Sequence, residues 1–362
     1  YGGVPGKECT TVTLIEELRR DYSELTRTPY GDFDHDAAAC YDRIIMALAS
    51  LILQKYGVHS DVVMIQATTL EEAEYRLKMS GKVSEATYKN GKLFPLHGSG
   101  QGSSNSPHIW LFISSVLYDV YDKNSHGMKF STPDRKENHN MGIIGIVDDA
   151  TCSTDANPVA TVEELLQRLA HDAQLWHDLL WCSGGKLELS KCGFHLTHYN
   201  FQESGEPRKS TINLPPINIT NADGLITPIK AKSIFEPRKN LGHHKCPINQ
   251  FKTQEKVLSV NAANISKAIA RTPGTIAEKL TLYHTVLIPS VKYTLAQCFF
   301  TKQQLININK IYRQRMYSKC GYNRNTAGAI MEGPKYIGGA GFTPLYVIAS
   351  TGHLIHFLKH WR

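Results

Sequence analysis

The most informative segment of this chain is Ile143-Ile144-Gly145-Ile146-Val147-Asp148-Asp149, an apolar run that ends in two adjacent acids. The apolar run is typical of a buried strand. Such a strand would deliver two carboxylates to a place where charge cannot remain unpaired. A divalent cation shared with other acids would neutralise them. A solvated hairpin turn is the alternative that the doublet alone leaves open.

A second group of acids lies far upstream, in the segment Asp32-Phe33-Asp34-His35-Asp36. The alternation predicts a strand with its three carboxylates on one face. If these acids meet the doublet at 148–149, their hard oxygen ligands favour Mg²⁺ or Mn²⁺. Two such ions form the clamp that is used for in-line phosphoryl transfer.

A third feature is the loop Gly98-Ser99-Gly100-Gln101-Gly102-Ser103-Ser104-Asn105-Ser106-Pro107. Its glycines let the backbone approach a ligand closely. Ser106 is expected to cap the following helix, and Pro107 suits the first turn of that helix. Backbone donors at a helix N-terminus favour phosphate, although a structural linker is equally compatible with the loop.

Hydrophobic periodicity divides the rest of the chain into helices and short strands. We expect helices over residues 11–28, 42–56, 61–80, 107–121 and 160–181, strands over 31–36, 88–95 and 141–147, and a mainly helical pattern from 249 onward. Two histidines of the long helix over 160–181, His171 and His177, are expected at the surface or an interface rather than as ligands.

The charge changes sign along the chain. Residues 1–229 contain 20 Lys and Arg against 29 Asp and Glu, whereas residues 230–362 contain 20 against 4. A basic region with interleaved aromatic residues indicates contact with a polyanion, and nucleic acid is favoured over a merely solubilising face. The change supports a domain boundary near 240–250.

Composition excludes several classes of protein. With 362 residues, 41% of them hydrophobic and 20% charged, the chain can build a sizeable core and is not disordered throughout. No apolar window is long enough for a membrane span. The eight cysteines form no CxxC pair, so we expect free thiols in a reducing compartment, nuclear or cytoplasmic, and not a secreted protein. The missing initiator Met suggests a piece of a longer protein.

Taken in order, five motifs resemble the palm of a reverse transcriptase, most of all the enzymes of non-LTR retrotransposons and related right-hand polymerases. They are Asp36-x-x-x-x-Tyr41-Asp42, Gly98-x-x-Gln101-Gly102-x-x-x-Ser106-Pro107, Ile146-Val147-Asp148-Asp149, Gly184-Gly185-Lys186-Leu187-Glu188-Leu189-Ser190-Lys191 and Asn240-Leu241-Gly242. Each motif is modest alone, but their order and spacing make the resemblance specific.

The resemblance extends to both ends of the chain. The segment 1–7 is similar to a finger motif, with Val4 where the family usually carries Arg, and 282–293 and 338–342 resemble thumb segments. The implied fold is α+β, a polymerase palm whose antiparallel sheet is backed by helices. Its implied divisions are partial fingers over 1–30, the palm over 31–242, and a basic helical thumb with a C-terminal extension over 243–362.

The resemblance also implies roles for individual residues. Asp36 and Asp148 would be the two catalytic carboxylates that bridge two Mg²⁺ or Mn²⁺ ions, and Asp149 would be a third catalytic acid that either binds an ion directly or supports the ligands from outside. Asp34 competes for the first role, but only Asp36 has Tyr41 at the family spacing. The remaining implied contacts are Lys191, Ala37, Tyr41, Gln101, Gly102 and Lys7 around the nucleotide, and Leu241 and Gly242 as the primer grip.

For two of these residues, a purely structural role is the alternative. Lys191 would protonate the departing pyrophosphate, or it is a charge on a surface turn. Tyr41 would lie under the incoming sugar and select deoxynucleotides, or it is an aromatic ring packed in the palm.

The implied activity is that of an RNA-directed DNA polymerase core of a retroelement, a nucleotidyltransferase. Its partners would be dNTPs, an RNA template and a DNA primer or duplex, with no membrane. The alternative is a decayed or domesticated nucleic-acid-binding module with the same fold. A metal-dependent nuclease is disfavoured, because it would not need the loop over 98–107.

Overall fold

A computed structural model describes residues 8–38, 40–91, 98–100, 102–147, 149–157, 160–201, 203–204, 207–210, 213–248, 250–323 and 325–361. The chain divides into two compact units between Ile234 and Phe235. Helices and antiparallel strands are combined, as an α+β fold requires. The division into fingers, palm and thumb stays a prediction.

Unit 1 mixes the two kinds of element. In chain order they are α1 (Cys9–Thr26), β1 (Tyr30–His35), α2 (Met46–Lys55), α3 (Ser60–Glu72), β2 (Glu74–Met79), β3 (Lys82–Lys89), α4 (Ser106–Asn124), β4 (Lys129–Ser131), β5 (Asn138–Asn140), β6 (Ile143–Ile146), β7 (Asp149–Asp155), α5 (Val162–Cys182), β8 (Gly193–Thr197), β9 (Tyr199–Phe201), β10 (Pro207–Lys209), β11 (Ile217–Thr220) and β12 (Ile226–Ile229).

Four strands form the central sheet of unit 1, in the order β6-β7-β1-β8, and all neighbours are antiparallel. Helix α5 packs on β1 and β7, and α4 packs on β6 and on α5. The core between sheet and helices is apolar and fully buried, with Phe33 and Phe194 from the strands and Ile113, Leu169 and Trp176 from the helices. Burial of this apolar surface holds the sheet in place.

Most of the predicted elements of unit 1 are present. Helices α1, α4 and α5 and strands β1 and β6 match their predicted segments within a few residues. Thr161 caps α5 by accepting a hydrogen bond from the Glu164 amide, at 3.2 Å. The helix predicted over 42–56 begins only at Met46, because a short 3₁₀ turn occupies Cys40–Arg43.

The helix predicted over 61–80 is wrong in its second half. Helix α3 ends at Glu72, and β2 and β3 form a hairpin around Ser80 and Gly81. Nearly every side chain of the two strands is exposed. The sequence does carry a strand signal here, because polar and apolar side chains alternate strictly over Glu74-Tyr75-Arg76-Leu77-Lys78-Met79, and alternation of this kind indicates a strand rather than a helix.

Unit 2 is mainly helical, as the pattern from residue 249 onward predicts. Its elements are β13 (Arg238–Asn240), β14 (His243–Lys245), α6 (Lys252–Arg271), α7 (Ile276–Leu282), α8 (Ile288–Gln297), α9 (Lys302–Lys319), α10 (Gly328–Glu332) and α11 (Leu345–His360). The helices enclose a second core that includes Tyr283, Leu287, Tyr312 and Met316.

Two further expectations can be compared with the structure. All eight cysteines are free thiols, as predicted. Within the described part of the chain, no helix combines the length and apolar character needed to cross a bilayer.

Candidate metal centre

The acids of β1 lie on the less buried face of the strand, as their alternation predicts. Asp32 accepts a hydrogen bond from the Ser153 hydroxyl at 2.5 Å, and Arg19 donates to the same hydroxyl at 2.8 Å. The Oδ2 of Asp34 lies 3.5 Å from Nδ1 of His195 on the neighbouring strand. These two acids are therefore engaged inside the sheet, whereas Asp36 follows the end of the strand.

Asp36 forms an ion pair with Lys191, whose Nζ donates to the Asp36 Oδ2 at 2.6 Å. The backbone holds the two segments together, because the Glu188 amide donates to the Asp36 carbonyl and Ala37 is bridged to Leu187. The hydrogen bond that Lys191 donates to Asp36, reinforced by the charge of the carboxylate, raises the pKa of Lys191. The lysine side chain is 66% exposed, so solvent screens the pair.

The acid doublet belongs to a tight hairpin, called here the acid hairpin, in which Val147 and Asp148 join β6 to β7. Ile146 faces Asp149 in the strand register, so only two residues form the loop. Val147 has a φ of 58°, in the left-handed region that a β-branched residue rarely adopts. The favoured two-residue hairpin turns need such an angle.

One side chain from outside the hairpin holds this turn. The indole Nε1 of Trp110, on α4, donates a hydrogen bond of 2.6 Å to the Val147 carbonyl. Trp110 is 3% exposed and belongs to the core of unit 1. Nothing in the motifs points to this residue. Glycine is favoured at Gly145 beneath the turn, because a Cβ there would lie 2.7 Å from the Cβ of Ala150 on the paired strand.

The strand register brings the acids of the two motifs to one edge of the sheet. His35 of β1 is paired with Ala150 of the antiparallel strand β7. Asp36 directly follows His35 and Asp149 directly precedes Ala150, so both acids lie at the same end of the two strands. Asp149 is exposed and Asp36 is partly exposed. This donor set of carboxylate oxygens at a solvent-accessible edge fits a hard divalent cation such as Mg²⁺. Asp148 lies outside the described residues.

The Gly-rich loop packs against the segment that follows β1. Gly98 has a φ of 76°, and a Cβ there would meet the Asp42 backbone at 2.5 Å. The Gly98 amide donates to the Ile44 carbonyl, and the Ser99 amide donates to the Tyr41 carbonyl, each at 2.9 Å. Only glycine therefore fits at the first position of this motif.

The prediction that Ser106 caps α4 is wrong. Asn105 is the N-cap, and Ser106 is the first helical residue. The Ser106 hydroxyl instead donates to the carbonyls of Ser99 and Gly100, at 3.0 and 2.7 Å. Several backbone amides of the loop donate hydrogen bonds to carbonyls of the protein and so are already engaged. Phosphate binding by this loop stays a prediction.

The remaining predicted nucleotide contacts are only partly visible. Tyr41 lies in the 3₁₀ turn Cys40–Arg43 and, like Ala37, is half-buried against the core. Gly102 is exposed, with a φ of 93°. Lys7 and Gln101 lie outside the described residues. No contact of the described residues tests the role of Tyr41 as a sugar selector.

The predicted primer grip is a second two-residue hairpin, called here the grip hairpin, in which Leu241 and Gly242 join β13 to β14 in unit 2. Both loop residues have positive φ angles, 46° and 84°. The Tyr293 hydroxyl donates to the Leu241 carbonyl at 2.9 Å. The grip hairpin is thus built into unit 2 by a side chain from α8.

Among known proteins, the chain is similar to solved structures only. No protein-family model and no curated protein matches the chain. Among solved structures, the telomerase of Candida tropicalis in complex with a TWJ fragment of telomeric RNA has a TM-score of 0.38 at 12% identity, over 96% of this chain and 50% of that chain. The corresponding Candida albicans telomerase complex has a TM-score of 0.31 at 13% identity, over 97% and 51%.

A third similar structure is the apo telomerase of Candida tropicalis, with a TM-score of 0.34 at 11% identity, over 97% of this chain and 54% of that chain. The chain thus spans about half the length of these solved chains. Similarities at this distance do not assign a fold or an activity.

Proposed function

We propose that this chain is the core of an RNA-directed DNA polymerase, which transfers a nucleotidyl group from a dNTP to a primer 3′-OH on an RNA template. The observation that carries the proposal is the position of Asp36, directly after β1, beside Asp149 at the start of the paired strand β7, with Lys191 bonded to Asp36. The five ordered motifs support the nucleotidyl-transfer chemistry in particular.

The carboxylates of Asp36 and Asp149, with Asp148, would hold two Mg²⁺ or Mn²⁺ ions. Bound there, the ions would lower the pKa of the primer 3′-OH and offset the negative charge of the triphosphate. In the transfer, a bond forms between the primer 3′ oxygen and the α-phosphorus, and the bond from that phosphorus to the bridging oxygen of pyrophosphate breaks.

Lys191 would supply the proton that the leaving pyrophosphate takes up. Its ion pair with Asp36 favours the ammonium form, so the proton is present before the reaction. The turn that carries Lys191 is anchored to the backbone at Asp36. The donor therefore stays beside the carboxylate that would bind the ions.

The basic C-terminal third would hold the nucleic acid duplex. Its 20 Lys and Arg against 4 acidic residues suit contacts to phosphates without sequence readout. Binding should accordingly weaken steeply as salt rises.

Primer extension tests the proposal directly. The assay uses a DNA primer on an RNA template with dNTPs and Mg²⁺ or Mn²⁺. We expect the parent to extend the primer, and Asp36→Asn and Asp149→Asn each to lose at least about 100-fold in rate, because both remove a charged ligand. Asp119→Asn is the matched control, since Asp119 is an exposed acid on α4.

Equal activity in the parent, Asp36→Asn and Asp149→Asn would overturn the proposal. A second candidate function is a nucleic-acid-binding module without catalysis, which the charge excess of residues 230–362 favours. Salt-dependent duplex binding by the parent without any extension would support it. Extension with NTPs in place of dNTPs by Tyr41→Ala, but not by the parent, would support the sugar-selecting role.

A further inference from the structure

A cluster of potential metal ligands lies in unit 1 away from the acids discussed above. In it are His126, in the segment after α4, and His171 and Asp172, on α5. One ligand atom from each residue lies within 4.8 Å of the other two. The two imidazole centroids are 5.0 Å apart, with the rings at 63°. Both rings are exposed, so an ion could reach them from solvent.

The carboxylate of Asp172 is held in one orientation. Asp172 is fully buried, and its Oδ2 accepts hydrogen bonds from the Gly127 amide at 3.1 Å and the Thr154 hydroxyl at 2.6 Å. Its Oδ1 accepts from the His126 amide at 2.9 Å and lies 3.1 Å from Nδ1 of His171. Outer partners of this kind orient a ligand and support metal affinity.

Oδ1 is the oxygen of Asp172 on the histidine side of the carboxylate, because it lies 3.1 Å from Nδ1 of the His171 ring and accepts from the backbone amide of His126. A carboxylate oxygen has two lone pairs, so Oδ1 can keep the His126 amide and still bind an ion.

We propose that His126, His171 and Asp172 form a binding site for one divalent transition-metal ion of the zinc type. Two imidazole nitrogens and one carboxylate oxygen suit Zn²⁺, Co²⁺ and Ni²⁺, whereas Mg²⁺ prefers oxygen ligands alone. The ion would join α5 to the segment that follows α4, and so would tie together two parts of unit 1. This site is separate from the carboxylates of the proposed polymerase and does not depend on that function.

Zinc titration of the full chain tests the proposal. Isothermal titration calorimetry with ZnCl₂ is expected to show one strong site in the parent. His126→Ala and His171→Ala should each weaken this site by at least about tenfold, because each removes one of three protein ligands. His108→Ala is the control, since His108 is an exposed histidine on α4 outside the cluster. It should leave the affinity unchanged.

Two further measurements distinguish a built site from weak, scattered zinc binding at the surface. Co²⁺ in place of Zn²⁺ should give visible d–d absorption in the parent that both cluster variants lose. Zn²⁺ should also raise the midpoint of thermal unfolding of the parent but not of the two variants. Circular dichroism without metal checks that the variants fold, which is expected because both side chains are exposed.

Zinc binding of unchanged affinity in His126→Ala and His171→Ala would overturn the proposal, and so would the absence of a strong site in the parent. Primer extension needs neither histidine, so its success or failure does not affect this result.

Discussion

The acid hairpin and the grip hairpin are built alike and are held by the same kind of contact, but the burial of the donor differs between them. Each has a two-residue loop whose first residue, Val147 or Leu241, is a bulky side chain with a positive φ. In each, an aromatic side chain donates a hydrogen bond to the carbonyl of that residue, from Trp110 at 2.6 Å or from Tyr293 at 2.9 Å.

The hairpin between β2 and β3 has small residues in its loop instead of a bulky one. Its loop residues, Ser80 and Gly81, also have positive φ angles, 50° and 80°. Small residues tolerate this conformation, whereas a left-handed bulky residue costs about 1–2 kcal/mol. The comparison indicates that the aromatic donors offset the cost of the left-handed residue in each loop. The acid hairpin should depend on its donor most, because that donor is buried.

The largest expected effect is that of Trp110→Phe. The substitution leaves the Val147 carbonyl without its donor and removes part of a buried ring, so we expect the free energy of unfolding to fall by about 3 kcal/mol. If the polymerase proposal holds, misplacement of the acids should also slow primer extension at least about tenfold. Urea unfolding and the extension rate measure the two effects.

Trp176→Phe is the matched control for this prediction. Trp176 is 2% exposed in the same core, and its indole nitrogen has no hydrogen-bond partner among the described residues. It therefore loses similar packing without releasing the acid hairpin. An equal loss of extension in both variants would show that packing, not the hydrogen bond, matters.

The strand beside the acid hairpin makes stability depend on pH. Burial lowers the pKa of His35 to about 4, against the opposing charges of Asp34 and Asp36. The unfolded chain takes up this proton near the reference value of about 6.5, and the folded protein only near 4. The contribution of His35 is thus fully present above that reference value and is lost as pH falls toward 4.

We expect the free energy of unfolding to fall by about 3 kcal/mol from this source between pH 7 and pH 4. Urea unfolding at several pH values measures it. The variant His35→Phe should flatten this part of the pH dependence, because Phe can stack on Trp176 without titrating. A parallel pH dependence of parent and variant would contradict the prediction.

A smaller effect is expected for Tyr293→Phe. It removes the hydrogen bond to the Leu241 carbonyl but keeps the ring, and Tyr293 is only half-buried, so water can replace the donor. The free energy of unfolding should fall by about 1 kcal/mol. Thermal unfolding of Tyr293→Phe and of Trp110→Phe compares the two losses of stability. A larger loss in Tyr293→Phe would contradict the comparison.

The smallest effect has the opposite sign. Leu241→Gly relieves the left-handed conformation, and the stability of unit 2 should rise by about 0.5–1 kcal/mol. Val147→Gly should gain less, because Val147 packs partly against the core of unit 1. Denaturant midpoints of the two variants rank them, and a larger gain for Val147→Gly would argue against a packed acid hairpin.

These contrasts also show which features a sequence reveals. The acid hairpin and β1 could be predicted, because a buried strand leaves an apolar or alternating pattern and the acids interrupt it at a defined place. The β2–β3 hairpin could have been predicted as well, because polar and apolar side chains alternate from Glu74 to Met79 and the dipeptide Ser80-Gly81 that follows is a turn signal.

The side-chain contacts that hold the acid hairpin and those that form the histidine cluster could not be predicted in the same way. Trp110 lies 37 residues before the carbonyl that it binds, and His126 lies far from His171 along the chain. Such pairs depend on tertiary packing, and no local pattern encodes them. The expectation that His177 lies at the surface or an interface is also not met, since it is buried and its ring bonds to Asn221 at 3.2 Å.

Helix α4 gives the molecule a mechanical connection. Ser106, which fastens the Gly-rich loop, and Trp110, which fastens the acid hairpin, stand one turn apart on this rigid rod. If the proposed nucleotide and ions bind at these two places, helix α4 connects the two binding sites directly. Any coupling between them would be reciprocal, each ligand changing the affinity for the other by the same factor.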